Sequence, residues 1–127
     1  MWFWLLKNSL NRVVVRLARR GRGPFALVRH VGRTSGASYE TPLLLARIDG
    51  DFVAELTYGP RVAWHRNVVA AAGRCQVVAG GRIYEIDRVE VLPAGDGLRA
   101  FGNPAAVVLR LLRRRDFRLL VVARSGP

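Results

Sequence analysis

Residues 41–57 read TPLLLARIDGDFVAELT. Two apolar runs, 41–48 and 52–57, flank Asp49-Gly50-Asp51. Asp and Gly accept the positive φ that a tight hairpin turn demands, so the stretch predicts a pair of antiparallel strands. A second pair repeats the pattern further on, with residues 75–79 and 82–92 on either side of Gly80-Gly81. In the longer strand Ile83, Glu85 and Asp87 alternate with Tyr84, Ile86 and Arg88, and the apolar face is imperfect. Outer strands are predicted at 25–31 and 117–123. Two successive hairpins with outer strands imply a small antiparallel barrel, whose closure removes exposed edges. No βαβ alternation occurs, which argues against a parallel doubly wound sheet.

Helices are predicted around this sheet. Residues 61–72 are Ala-rich and end at Gly73, a C-terminal stop. Residues 104–115 open on Pro104, which suits the start of a helix. At the beginning of the chain, residues 2–20 place Leu6, Leu10, Val13, Val14 and Leu17 in one stripe, and Gly21 to Pro24 end it. This segment reads as a helix covering one side of the core, as an interfacial membrane helix, or as a transit peptide. In the membrane reading Trp2, Phe3 and Trp4 sit at headgroup level and the arginines meet anionic lipid.

The 127 residues are enough for one hydrophobic core, and Lys+Arg exceed Asp+Glu by 21 − 9 = 12. Cys75 is the single cysteine, which excludes a disulfide framework and a thiolate zinc cluster and fits a reducing, cytoplasmic setting. His30 and His65 are too far apart in sequence for a metal-binding helix motif, and no metal site is expected. His65 is assigned to the solvent side of its helix. The carboxylates form no spaced pair, and the serines lack a nucleophile elbow. The charge brings no reader motif with it, so no nucleic-acid partner is expected.

Two segments could carry chemistry. Gly32-Arg33-Thr34-Ser35-Gly36-Ala37-Ser38-Tyr39 joins two predicted strands. Its glycines let backbone approach an anion, its hydroxyls and amides donate, and Arg33 adds charge. The bland alternative is a plain turn. Leu56 to Asn67 runs from a strand end into a helix, and Trp64 and Asn67 share a helix face. They could hold a planar ligand, or be a core tryptophan and an asparagine satisfying nearby backbone. With no acid, base or nucleophile of its own, the chain fits either a binding protein or a redox protein whose cofactor does the chemistry.

These segments resemble the deazaflavin-dependent nitroreductase family. His30 to Gly36 continuing to Thr41-Pro42-Leu43 is similar to its phosphate loop and following strand. Thr57-Tyr58-Gly59-Pro60, then Trp64, Arg66-Asn67 and Ala70 to Gly73, is similar to its second signature. The resemblance runs from about Phe25 to Leu120. It implies an α+β fold, an antiparallel split β-barrel similar to the FMN-binding split barrels, over residues 25–127, preceded by the amphipathic helix and linker of residues 1–24. It further implies the deazaflavin coenzyme F-420 as cofactor, ahead of FMN, and hydride transfer to a quinone, nitroaromatic or similar apolar acceptor. Carried over by position, Arg33, Thr34, Ser35 and Gly36 hold the phosphate. Thr41, Pro42 and Leu43 line the ring, Thr57, Tyr58 and Gly59 close its polar edge, and Trp64 and Asn67 flank it. Tyr58 is the candidate proton donor. Where similar members carry basic residues, this chain has Thr34, Ala37 and Glu40. The expected setting is cytoplasmic and peripheral at the inner face of the membrane through residues 1–20, with a homodimer as the expected assembly. The competing reading is a non-catalytic split barrel that binds a lipid-like ligand at the membrane surface.

Overall fold

The computed structural model describes residues 25–56 and 59–124, together with Arg16. The predicted helix at 2–20, apart from Arg16, and the site residues Thr57 and Tyr58 therefore lie outside the described residues. Among the described residues seven strands and three helices follow one another: β1 (Ala26–Val31), β2 (Ser38–Leu43), β3 (Leu45–Ile48), β4 (Asp51–Glu55), α1 (Ala63–Ala70), β5 (Cys75–Ala79), β6 (Arg82–Leu92), α2 (Ala94–Phe101), α3 (Ala105–Leu111) and β7 (Phe117–Val122). The strands form a single sheet in the order β2-β1-β5-β6-β7-β4-β3, and every pairing is antiparallel.

The predicted strand at 41–48 is two strands. β2 and β3 are separated by Leu44 alone, yet they occupy opposite edges of the sheet. Cα atoms two positions apart are at most ~7 Å from each other. The sheet must therefore curl until its edges meet at Leu44, which makes it a half-barrel and gives the predicted split-barrel architecture. Both predicted hairpins form, the second with the bounds read from the sequence and the first with a shorter turn. In the first, Ile48 pairs with Asp51 across Asp49 (φ 49°) and Gly50 (φ 88°). The turn is thus Asp49-Gly50, and Asp51 opens β4. Its buried carboxylate accepts the Val122 backbone N–H at 2.9 Å, tying the turn to the end of β7.

The imperfect face of β6 has a geometric cause. Ile86 pairs with Val122 and Arg88 with Val121, so Asp87 is an extra residue bulged out of the ladder. Tyr84 and Ile86 face the core before the bulge and Val89 after it, so the inward parity switches from even to odd. The core inside the curl contains Val28, Phe52, Val77, Leu120, Trp64 and Val68. α1 has no side-chain cap, and its buried Trp64 and Val68 fix it against the inner face beside β1. Gly73 ends the turn after it at φ 86°. A Cβ there would come within 2.8 Å of backbone in β6, so no other residue fits.

The helices differ from expectation in three places, the first being α1, which covers Ala63–Ala70 within the predicted 61–72 because Arg61 and Val62 are still in the turn before it. α2 was not predicted, because glycines at 95 and 97 mask its period. Gly97 is where the ring of Phe117 packs, and a Cβ would overlap three of its carbons. α3 stops at Leu111 rather than 115. Arg113 takes φ 56°, and the Arg114 N–H returns to the Leu109 carbonyl at 2.8 Å, reversing the chain into β7. None of the helices among the described residues is long and apolar enough to cross a membrane.

Candidate functional site

β1 sends Ala26, Val28 and His30 to the buried face, so the inward row of an otherwise apolar strand ends in an imidazole. His30 is opposite Tyr39 in register, and the two rings stack with centroids 5.8 Å apart. α1 brings Asn67, also buried, against the same ring. A chain of hydrogen bonds results. The Asn67 Oδ1 accepts both the Arg33 backbone N–H at 3.1 Å and the Arg33 Nη1 at 2.7 Å. That orientation leaves Asn67 Nδ2 to donate to His30 Nδ1 at 3.0 Å. A nitrogen that accepts carries no proton, so the imidazole proton is on Nε2 and is donated to Thr41 Oγ1 at 2.9 Å. Burial lowers the His30 pKa, which agrees with this neutral tautomer.

The loop Gly32–Ala37 closes on itself through Gly32 N–H to Ala37 O at 2.8 Å and Gly36 N–H to Gly32 O at 2.9 Å. Ser35 Oγ accepts the Ala37 N–H at 3.2 Å, and a Cβ on Gly32 would lie 2.5 Å from that oxygen. Beneath the loop is a polar recess of about 370 Å³. Arg33, Thr34, Ser35, Thr41 and Asn67 line it, so five of the sequence-predicted residues meet there. Glu40 is also in its wall, and its carboxylate is paired with Arg29 at 3.0 Å. Around the recess His30 is neutral, Glu40 is paired with Arg29, and the Arg33 guanidinium is held by Asn67.

The other described residues of the predicted site are elsewhere. Pro42 and Leu43 line a separate, mostly apolar hollow of about 450 Å³ with Phe25, Leu44 and Phe101. Trp64 is buried in the core, its ring edge-on to His65 at 5.6 Å. Gly36 shapes the loop at φ 71°, and Gly59 is half-buried at φ 82°, ahead of α1. His65 corrects the expectation of a solvent-side residue. It is buried, with Nδ1 2.9 Å from the Pro60 carbonyl, because the loop before α1 folds over that side of the helix. A larger groove of about 700 Å³ shares His30, Tyr39 and Glu40 with the recess and reaches Cys75. Burial, with the Glu85 charge adding to it, pushes the Cys75 thiol up to about 12, so it is not a nucleophile. Among the described residues no His, Cys, Asp and Glu are grouped to hold a metal ion. Sequence reasoning missed His30 as the centre of the network. Its signal was the period-2 row Ala26, Val28, His30, which points the imidazole inward.

No family model matches the chain, and no curated protein is significantly similar to it. Sixteen chains of solved structures do match. A domain-swapped dimer superposes with a TM-score of 0.58 at 15% identity, over 94% of this chain and 99% of the other. An F-420-H2-dependent reductase gives a TM-score of 0.55 at 18% identity, over 76% and 93%. A heme-binding protein from Mycobacterium smegmatis gives 0.54 at 11% identity, over 86% and 51%. The antiparallel half-barrel with its helices is thus an architecture that recurs in proteins of different ligands.

Proposed function

We propose that the chain is a reductase that takes a hydride from reduced coenzyme F-420 and delivers it to an apolar, electron-poor acceptor such as a quinone or nitroaromatic. One observation carries the reading. Strand β2 lines the polar recess with Tyr39, Glu40 and Thr41, and the apolar hollow with Pro42 and Leu43. A cofactor with an anionic tail and a planar ring needs both environments along one element. The fold shared with an F-420-H2-dependent reductase agrees with this. The residues fit the anionic end: Arg33 and Thr34 would donate to a phosphate, and Ser35 and Gly36 would keep the loop's shape. Pro42 and Leu43 would pack the ring, with Thr57, Tyr58 and Gly59 at its polar edge. Asn67 would act through Arg33, and Trp64 through the position of α1. The bound cofactor supplies the hydride; the chain orients it and excludes water. Tyr58 is proposed as the proton donor to the reduced product.

Calorimetric titration of the folded protein with F-420 tests this, followed by oxidation of reduced F-420 by a soluble quinone. The reading expects saturable binding and a protein-dependent rate that Tyr58→Phe lowers. Absence of binding at high micromolar F-420 rejects it. The apolar hollow favours one second reading, a binding protein for a lipid-like ligand. Such a protein would retain an apolar molecule through purification, would not turn over F-420, and would keep that ligand in a folded Asn67→Ala variant.

A further inference from the structure

Helix α3 is built inside out. On a helix wheel Val107, Val108, Leu111 and Leu112 fall within one face, and Ala106 falls opposite its centre. Ala106 is buried, whereas the four larger residues are 46%, 52%, 78% and 58% exposed. The apolar stripe therefore points away from the core. At its C-terminal end the chain continues into Arg113-Arg114-Arg115, and Arg110 is in the last turn. Arg110, Arg113 and Arg115 take part in none of the ion pairs among the described residues.

Charge decides what covers this face. The chain's own residues 1–24 hold six basic and no acidic residues, so docking them here would set cation against cation. A second copy packed face to face would bring another arginine run within about one short helix length, ~10 Å, of the first, setting like charge near like charge. The partner must be anionic. It must also accept protruding valine and leucine side chains, which the polar surface of a nucleic acid does not. An anionic bilayer surface meets both conditions, with acyl chains for the stripe and headgroups for the guanidinium groups. We propose that α3 and the arginine run after it form a docking face for anionic lipid membranes, separate from residues 1–20. The apolar hollow, which shares Val108 with this face, would then open toward the bilayer.

The test uses the full chain. Leu111→Cys carries an environment-sensitive fluorophore, and buried Cys75, with its thiol pKa at about 12, stays unlabelled. Vesicles with phosphatidylglycerol should shift the dye emission to the blue, whereas pure phosphatidylcholine should not. In cosedimentation, Arg113→Asn with Arg115→Gln should weaken binding about fivefold per arginine, and added salt should weaken the parent. Asparagine tolerates the left-handed backbone at 113. Leu111→Ser with Leu112→Ser should cost about tenfold or more, and both side chains are exposed enough to change without unfolding the domain. Unchanged vesicle binding by these variants, or an unshifted dye while the protein sediments with vesicles, overturns the proposal and leaves the affinity to other residues. A parent that ignores anionic vesicles overturns it too, as does a dimer that Leu111→Ser with Leu112→Ser dissolves.

Discussion

Replacing Asn67 with alanine removes the joint between the loop, the barrel and α1. Two hydrogen bonds from Arg33 are lost, one of them from the guanidinium, together with the bond to His30. Neutral bonds contribute about 1 kcal/mol each and a charged one about 1.5–3 kcal/mol, which sums to about 3.5–5 kcal/mol. The adjoining recess admits water to the freed groups, so the expected loss is about 2–4 kcal/mol. In a domain of this size that lowers Tm by on the order of 10 °C. Asn67→Asp separates the loop anchor from the imidazole. Its carboxylate still accepts from Arg33 but offers no donor to the neutral His30 Nδ1. It favours the imidazolium instead. In the parent the His30 pKa is lowered by folding, so stability is greatest above the unfolded value near 6.5 and falls as pH drops toward the folded pKa. In the Asp variant the folded pKa rises above the unfolded one. That contribution is then fully present below pH ~6.5 and is lost as pH climbs through the raised pKa. Urea unfolding of parent and both variants between about pH 5 and 8 reads the effect. An alanine variant within about 0.5 kcal/mol of the parent would refute the network, and so would an Asp variant with the parent's pH profile.

Three further outcomes are expected. Arg33→Ala should weaken F-420 binding more than Arg113→Ala does, with the difference shrinking as salt rises; equal affinities by calorimetry would remove the loop from the site. Gly97→Ala drives a methyl into the Phe117 ring and should cost about 1–3 kcal/mol in chemical unfolding, while Gly95→Ala, whose Cβ would meet only the Arg99 side chain 3.9 Å away, should not. Cys75 should resist thiol reagents at mildly alkaline pH until the domain unfolds, because burial holds its thiol up at about 12; rapid modification of the native protein would contradict that packing.

What was legible in the sequence follows the range of the forces involved. The hairpins at Asp49-Gly50 and Gly80-Gly81 were readable because a tight turn is a local requirement on φ, met by a few residue types. The recess was half readable. A loop rich in glycine and hydroxyls announces that backbone donors are available, whatever the rest of the chain does. Its anchor was not readable as an anchor, because Asn67 finds Arg33 across 34 positions and His30 across 37, a pairing that the curled sheet alone arranges. Helix α2 was hidden for the opposite reason. Its glycines disfavour a helix locally, and position 97 keeps one because the Phe117 ring needs the space. The bend at Leu44 is the sharpest case. Residues 41–48 read as one strand, since nothing local tells Leu44 from Leu43 or Leu45. Only the competition of both sheet edges for the same short run splits it, joining the polar recess at Thr41 to the apolar hollow at Pro42 and Leu43. The feature that best supports a cofactor with an anionic end and a flat apolar end is therefore a product of closure rather than of any motif.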